Sequence, residues 1–267
     1  MTDAAAAAGA SIAFDRAVDY YDATRALPAA TMAAVIDRLT AELSGRGHVL
    51  EVGIGTGRMA LPLVIAGVDV VGVDLSVPMM TRLLAKARDS GASAPVARAD
   101  ATRLPLASRS VGAAFMCHVL HLVPRWPEAV GELVRVVQPG GTVLVDLGNP
   151  KDELDEMARY FQAAAGVERR HPGVENEADI DLVVGAFRSL GTTPRELPPI
   201  PTTRDVPPSA LISMWEQNRF SWLWSIDEST RMDAVEATKR WAVERYGDLD
   251  APVHCTADIV WRAFDVS

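Results

Sequence analysis

Strand patterns and helix patterns alternate along residues 29–147, and this alternation limits the fold more than any other feature of the sequence. Apolar runs that fit short buried strands recur at intervals of roughly 20–25 residues, a spacing typical of strands joined by helices. The strand runs are HVLEVG, DVVGVD, residues 95–99, VGAAFMC and TVLVDL. Connections of this kind favour a doubly wound, mostly parallel sheet with right-handed crossovers. We therefore predict an α/β fold with helices on both faces of the sheet.

The C-terminal half has a different pattern, with longer helical segments and more proline. The predicted helices cover residues 151–165, 176–190, 209–218 and 227–246. Because residues 191–208 contain six prolines, we predict that they are extended or form loops. Residues 253–265 are predicted to form one final strand. We divide the chain into an N-terminal segment (1–28), a Rossmann-like core (29–150) and residues 151–267, which complete the sheet and insert a small helical cap.

Composition and charge argue against several classes of function. A net charge of −9 and a pI near 5.1 leave no basic footprint for nucleic acid, so we predict no nucleic-acid partner. No segment fits a membrane span, and the N-terminus lacks the basic start of a secretory signal, so we expect a cytoplasmic location. The two cysteines make no disulfide framework. No His/Cys cluster stands at metal-ligand spacing, so we predict no metal.

A glycine-rich turn over residues 51–57 (EVGIGTG) lies between the first strand and the helix that follows it. Its glycines, Gly53, Gly55 and Gly57, let the main chain turn sharply and let a ligand approach the backbone closely. Ligands of open α/β sheets bind at the carboxyl ends of the strands, where this turn lies. A plain tight turn between strand and helix is the alternative interpretation.

Acidic residues follow each of the next two strands. Asp74 ends the second strand, 21 residues after the first glycine, and a carboxylate there can accept hydrogen bonds from both hydroxyls of a ribose. Asp100, followed by Ala101, comes after the third strand and could accept from an adenine amino group. Leu75 and Met79 could supply apolar faces for the base. The alternatives are an acid that stabilises a helix N-terminus at Asp74 and a surface acid at Asp100.

Three features favour a sulfonium methyl donor over a nicotinamide dinucleotide. The glycines run G-x-G-x-G, whereas the dinucleotide fingerprint runs G-x-G-x-x-G. Glu51 stands two residues before the first glycine, where a carboxylate would repel a pyrophosphate. A tight turn, Pro139-Gly140-Gly141, opens the fifth strand. We therefore predict S-adenosylmethionine as the cofactor, with S-adenosylhomocysteine as its product.

Together these motifs resemble the type 11 class I methyltransferases, which include the ubiquinone/menaquinone biosynthesis methyltransferases. The resemblance covers nearly the whole chain. It is carried by residues 51–57, Asp74, Asp100-Ala101, Leu120-His121 and Pro139-Gly140-Gly141, and by the N-terminal Phe14-Asp15-Arg16 and Tyr20-Tyr21-Asp22-Ala23-Thr24-Arg25. More narrowly, Gly55-Thr56-Gly57-Arg58 is similar to bacterial members of unassigned substrate. The resemblance implies a Rossmann-like methyltransferase fold with a seven-stranded, mostly parallel sheet.

The resemblance also implies where the parts of the cofactor lie. Glu51 and the glycine turn would line the methionine and ribose parts, and His118 would lie near the methionyl end. Tyr21 and Arg25 would close over the cofactor; packing for Tyr21 and a solvated charge for Arg25 are the alternatives. The predicted cofactor-binding residues are Tyr21, Arg25, Glu51, Gly53, Gly55, Thr56, Gly57, Arg58, Asp74, Leu75, Met79, Asp100, Ala101 and His118.

Methyl transfer from a sulfonium is an in-line displacement, which chiefly requires that donor and acceptor be aligned. An acceptor that must lose a proton needs a base as well. His121, after the fourth strand, is the predicted catalytic residue, and His118 is a second candidate for the base. A structural hydrogen bond is the alternative role for His121.

The predicted acceptor is a small molecule. The Trp-rich residues 215–224 could line an apolar or aromatic acceptor pocket, or they could form the core of the cap itself. Two other functions stay open, a non-catalytic S-adenosylmethionine-binding protein and a nicotinamide-dependent oxidoreductase. Oxygen, nitrogen and carbon all remain possible as the methylated atom.

Overall fold

The computed structural model describes residues 11–146, 152–168 and 170–267. The strands in these ranges are β1 (Val49–Val52), β2 (Val70–Asp74), β3 (Val96–Arg98), β4 (Val111–Cys117), β5 (Val137–Asp146), β6 (Thr193–Glu196), β7 (Ile200–Val206), β8 (Val253–Ile259) and β9 (Trp261–Asp265). Seven of them form one sheet in the order β3-β2-β1-β4-β5-β9-β6, and β7 and β8 form a second sheet.

The seven-stranded sheet is mostly parallel. Strands β3, β2, β1, β4 and β5 pair in parallel with their neighbours, whereas β9 is antiparallel to both β5 and β6. Every residue of β4 is buried, which fits its apolar sequence and its place among the middle strands. The predicted seven-stranded, mostly parallel α/β fold is confirmed.

The helices in the described ranges are α1 (Tyr21–Thr24), α2 (Ala29–Leu43), α3 (Ala60–Ile65), α4 (Val77–Ser90), α5 (Trp126–Val136), α6 (Asp155–Ala164), α7 (Glu177–Ser189), α8 (Pro208–Glu216) and α9 (Glu228–Tyr246). The last four begin and end within a few residues of the predicted positions. The Ser76 hydroxyl accepts from the N–H of Met79 at 3.3 Å and so caps α4. Gly91, with φ +68°, ends this helix in the left-handed conformation.

The chain divides into two compact units. The first consists of Met1–Gly148, Pro172–Ile200 and Val260–Ser267, and the second of Asn149–His171 and Pro201–Ile259. In the core of the first unit, Phe187 stacks on Phe264 with ring centroids 3.8 Å apart. In the core of the second, Phe161 stacks on Trp215 at 4.4 Å. Each unit therefore buries its own apolar core.

One prediction for the C-terminal half was wrong in part. Residues 253–265 form two strands, β8 and β9, which belong to different sheets. The apolar pattern runs on across this break, so the sequence gives no sign of it. Residues 191–208, which were predicted to be extended or looping, contain two extended strands, β6 and β7. Pro194 lies in β6 at the edge of its sheet, where a missing N–H is tolerated.

Some predictions fall on residues that are not described. The predicted N-terminal tail over residues 1–10 and the boundary between residues 150 and 151 lie outside the described ranges, and the three-part division of the chain stays a prediction. Within the described ranges, no helix combines the length and the apolar character that a bilayer crossing requires.

Candidate active site

Polar side chains lie in a row along the carboxyl ends of five neighbouring parallel strands. In sheet order they are Asp100 after β3, Asp74 at the end of β2, Glu51 in β1, Cys117 at the end of β4 and Asp146 at the end of β5. Because these strands run in parallel, their carboxyl ends share one edge of the sheet, the edge at which ligands of such folds bind. Three of the predicted site residues thus lie side by side.

The glycine turn is tied directly to Asp74. The N–H of Gly55 donates to Asp74 Oδ2 at 2.8 Å, and the N–H of Ser76 donates to Oδ1 at 2.8 Å. Burial raises the pKa of Asp74, and these N–H groups act in the opposite direction. A carboxylate has about four lone-pair sites, so Asp74 keeps acceptor capacity for further donors.

Two of the glycines serve different needs. Gly53 has φ +77°, and a Cβ there would lie 2.3 Å from Cγ2 of Val119 in the loop after β4. This position therefore admits only glycine unless that loop moves. At Gly55, with φ +53°, the atoms nearest to such a Cβ stand 3.9 Å away. The backbone of Gly55 is therefore open to close approach by a ligand.

Glu51 is a buried carboxylate with unused hydrogen-bonding capacity. Glu51 is only 2% exposed, and its carboxylate accepts a hydrogen bond from the N–H of Ala60. Oε2 is buried and accepts no hydrogen bond from any residue in the described ranges. Burial raises the pKa of Glu51 well above its ordinary value, and the nearby Arg58 guanidinium acts to lower it. Buried polar atoms are usually paired, so this oxygen marks a place for a donor from outside the described residues.

Residues 11–25, which we call the N-terminal strap, are fastened to the glycine turn through Asp22. The hydroxyl of Thr56, a fully buried residue, donates to Asp22 Oδ1 at 2.6 Å. Lys86 Nζ, on α4, lies 3.1 Å from Asp22 Oδ2. Thr56 was predicted as a site residue, whereas Asp22 was not. Only the position of Asp22 in a Tyr-Asp motif indicated a role for it.

The strap also brings two predicted residues to the cleft. Burial raises the pKa of Tyr21 and lowers that of Arg25, and both side chains lie within electrostatic range of Arg58. Arg58 donates to the carbonyl of Arg25 at 3.4 Å. The predicted Tyr21, Arg25 and Arg58 thus lie together, close to Glu51.

The other end of the row holds the residues predicted for adenine. Asp100 Oδ1 accepts from the N–H and the hydroxyl of Thr102, at 2.9 and 2.8 Å. The strap reaches this carboxylate as well, because Ser11 Oγ donates to it at 3.2 Å. Ala101 and Met79 are buried, and Leu75, which follows Asp74, is half-buried. Sequence reasoning missed Ser11.

A second cluster lies at the ends of β4 and β5. Cys117 pairs with Asp146 in the strand register, and its thiol donates to Asp146 Oδ2 at 3.6 Å. His118 Nε2 lies 3.3 Å from the same oxygen, and Arg58 Nη2 lies 3.2 Å from the Cys117 sulfur. The sequence spacing did not predict this group, because Asp146 is distant in the chain and is brought in by strand pairing.

The cluster has the chemistry of a proton-sharing group. Ligand-type atoms of Cys117, His118 and Asp146 lie within 4.8 Å of one another, a spacing that suits a shared proton or a cation. The adjacent guanidinium of Arg58 opposes a further cation. Burial raises the pKa of the Cys117 thiol well above its ordinary value, so the thiol stays protonated. Burial lowers the pKa of His118, and Asp146 acts against this shift.

His118 and His121 have different surroundings. His118 follows β4 with φ +55°, a left-handed conformation that is uncommon for a residue other than glycine. His121 is half-buried in the short turn Leu120–Leu122, and its carbonyl accepts from the N–H of Gly173 at 3.0 Å. The structure therefore brings His118 to Asp146, while the predicted catalytic role of His121 stays a prediction.

The Trp-rich segment belongs to the second unit. Trp215 is buried on Phe161, and Trp222 meets the same ring edge-on with centroids 5.6 Å apart. Arg231 closes this region by donating to the carbonyl of Trp215 at 3.0 Å. These contacts support the core interpretation for Trp215, while a role of the segment in acceptor binding stays a prediction.

Comparison with known proteins agrees with this geometry. Residues 50–145 match a family model described as a methyltransferase domain, Methyltransf_11. The chain is 33% identical over 115 residues to a ubiquinone/menaquinone biosynthesis C-methyltransferase of Syntrophotalea carbinolica, covering 42% of this chain and 48% of that protein. It is 31% identical over 157 residues to a malonyl-[acyl-carrier protein] O-methyltransferase of Pectobacterium atrosepticum, covering 59% of each.

The fold has a close counterpart among solved structures. The crystal structure of the YcgJ protein of Bacillus subtilis matches with a TM-score of 0.58 at 16% identity, covering 89% of this chain and 99% of that chain. The chain spans less than half the length of the first curated relatives that it matches.

Proposed function

We propose that this chain is an enzyme that transfers a methyl group from S-adenosylmethionine to a small-molecule acceptor, because residues 50–145 match the methyltransferase domain model. The buried Glu51 Oε2, which has no hydrogen-bond partner among the described residues, carries this proposal. An isolated buried carboxylate is costly unless a donor or a cation pairs with it. The ammonium group of a methionyl moiety is such a cation.

The residues around Glu51 fit the rest of the cofactor. Asp74 keeps acceptor capacity for the ribose hydroxyls and is held in place by the N–H groups of Gly55 and Ser76. Asp100 would accept from the adenine amino group, with Ala101, Leu75 and Met79 as apolar neighbours of the base. Along the sheet from β3 through β2 to β1, these residues would contact first the adenine, then the ribose and then the methionine part of the cofactor.

The acids at the glycine turn suit a cationic cofactor and disfavour a dinucleotide, and Arg58 is a cation within electrostatic range of Glu51. Glu51 and Asp74 are carboxylates on neighbouring strands, and Asp146 lies two strands beyond Glu51. A pyrophosphate at the glycine turn would face the first two acids at close range, which argues against the nicotinamide alternative. When bound, the cofactor supplies an activated methyl group, and the chain's own residues bind it, orient it and exclude water.

The acceptor is a small molecule, and we propose that it is apolar or aromatic. The names of the two curated relatives refer to methylation of carbon and of oxygen, so they do not select the methylated atom. The alignment of donor and acceptor can supply roughly 7–11 kcal/mol of the barrier without a covalent intermediate.

The test is methyl transfer from S-[methyl-³H]adenosylmethionine to a panel of quinols, phenols, amines and carboxylic acids. We expect label in at least one acceptor with the wild-type chain. Glu51→Gln should lose most of this transfer, whereas Glu128→Gln, a change on the exposed surface of α5, should not. Binding of S-adenosylhomocysteine without label transfer to any acceptor would favour the non-catalytic alternative.

A further inference from the structure

We propose that His118 is the catalytic base of this site, that Asp146 is its positioning residue, and that the acceptor carries a phenol-like or enol-like hydroxyl. This inference rests on the proposed methyl transfer and adds to it the nature of the acceptor. It changes the predicted base from His121 to the second candidate.

The geometry gives His118 a defined tautomer. Its Nε2 faces Asp146 Oδ2 at 3.3 Å, and the Asp146 side chain is only 4% exposed. A carboxylate next to one ring nitrogen favours a proton on that nitrogen, so Nδ1 is left as the basic atom. About a third of the His118 side chain remains exposed, which leaves it accessible to an acceptor.

Burial and two neighbouring cations favour a neutral imidazole at His118. Asp146 accepts from the Cys117 thiol at 3.6 Å on the neighbouring strand. Arg58, from the glycine turn, and Arg25, from the N-terminal strap, face His118 as cations and disfavour an imidazolium in the resting site. Such a histidine is neutral near pH 7 and ready to take a proton, and Asp146 stabilises the imidazolium that then forms.

The backbone of His118 supports a functional role. Its φ of +55° places a bulky residue in a conformation that usually costs free energy. The next residue, Val119, packs against Gly53 so tightly that no Cβ fits there. The glycine turn therefore fixes the loop that presents His118, and the base is held in register with the proposed cofactor residues.

The proton balance selects the acceptor. As the acceptor oxygen bonds to the methyl carbon, the carbon–sulfur bond breaks with its electron pair on sulfur, and the O–H proton passes to Nδ1 of His118. A carboxylic acid is already ionised near pH 7 and needs no base. An ammonium acceptor would meet the cations of Arg58 and Arg25. Among acceptors that react through oxygen, an aliphatic hydroxyl is too weak an acid for imidazole, which leaves a phenol or an enol.

The test combines two readouts with four variants: His118→Asn, which tolerates positive φ, Asp146→Asn, His121→Asn, and His48→Asn as a surface control. We expect His118→Asn to lower methylation of hydroquinone or simple phenols by about a hundredfold or more, within the range usual for general bases. His121→Asn should lower it much less. This inference assigns His118 to the acceptor in place of the predicted cofactor contact, so affinity for S-adenosylhomocysteine should stay within about threefold of wild type in the His118 variant.

The second readout is the pKa of His118, followed by NMR of its ring ¹³C–¹H signals with S-adenosylhomocysteine bound. Asp146→Asn removes the charge that stabilises the imidazolium, so this pKa should fall. An unchanged pKa, retained phenol methylation in His118→Asn, or label transfer to carboxylic acids alone would each overturn the inference. If any of these three outcomes occurs while S-adenosylhomocysteine still binds with wild-type affinity, this inference fails and the proposed function stands.

Discussion

The N–H of Gly55 donates to Asp74 Oδ2 at 2.8 Å, so the glycine turn after β1 and the carboxylate that ends β2 form one polar unit. The strand register explains the contact, because β1 and β2 pair in parallel and Val52 lies beside Val73. The glycine turn after β1 and the segment after β2 therefore leave the sheet at the same level. Glu51 lies in β1, directly before the turn, and its Oε2, which no residue of the described part of the chain contacts by a hydrogen bond, completes the proposed cofactor cleft.

Glu51→Gln should weaken the binding of S-adenosylhomocysteine. The variant loses the charge that would pair with the methionyl ammonium, and hydrogen bonds to charged groups contribute about 1.5–3 kcal/mol. This corresponds to roughly a tenfold to hundredfold higher Kd, measurable by calorimetry. Glu128→Gln on exposed α5 serves as the matched control. Equal affinity in the two variants would show that Glu51 does not contact the cofactor.

The same substitution should alter how stability depends on pH. Burial raises the pKa of Glu51 in the folded state. The wild-type protein therefore has its full free energy of unfolding while Glu51 is protonated, below the unfolded-state pKa, and loses part of it as the pH rises through the folded-state pKa. Glu51→Gln lacks this loss. The variant should therefore gain on the wild type in free energy of unfolding between pH 5 and pH 8, as measured by urea denaturation without ligand. A gap that stays constant or narrows with rising pH would contradict the assignment.

Asp22→Ala should loosen the N-terminal strap. It removes the acceptor of the buried Thr56 hydroxyl and the partner of Lys86. The first contact is worth about 1.5–3 kcal/mol and the second, partly exposed, less than about 1 kcal/mol. We expect amide hydrogen exchange in residues 20–25 to accelerate by roughly tenfold or more. Asp19→Ala, exposed on the same segment, should not change it, and similar exchange in both variants would rule out the Asp22 fastening.

Gly53→Ala should destabilise the protein by about 2–4 kcal/mol, because it combines a strained positive φ with a steric overlap on Val119. Adding Val119→Ala should recover the steric part and leave the backbone part. Gly131→Ala is the control, since that glycine lies inside α5 with open space around it and should gain about 0.5–1 kcal/mol. Thermal unfolding measures all of these variants. A Gly53→Ala protein as stable as wild type would show that the loop after β4 adapts freely.

Much of the first unit could be predicted because its local signals agree with its tertiary packing. The strand at VGAAFMC is apolar throughout and becomes β4, buried along its length. The glycine turn and Asp74 follow strands that pair directly, so their proximity follows from the alternation of strands and helices. Ser76, directly before α4, caps that helix, as serine commonly does at this position.

The residues that were missed depend on contacts between distant parts of the chain. Asp146 meets His118 because β5 pairs with β4, and its partner cannot be identified from spacing. Ser11 reaches Asp100 across 89 positions of sequence. The end of β8 and the start of β9 share one apolar pattern, so nothing local shows that the chain changes sheets there.

Calorimetric titration of the full chain with S-adenosylhomocysteine, with NADH as the comparison, tests the central claim most directly. The account predicts one site per chain for S-adenosylhomocysteine, a large loss of affinity in Asp74→Ala and no heat with NADH. Binding of NADH, or no response to S-adenosylhomocysteine at millimolar concentration by a folded protein, would contradict it.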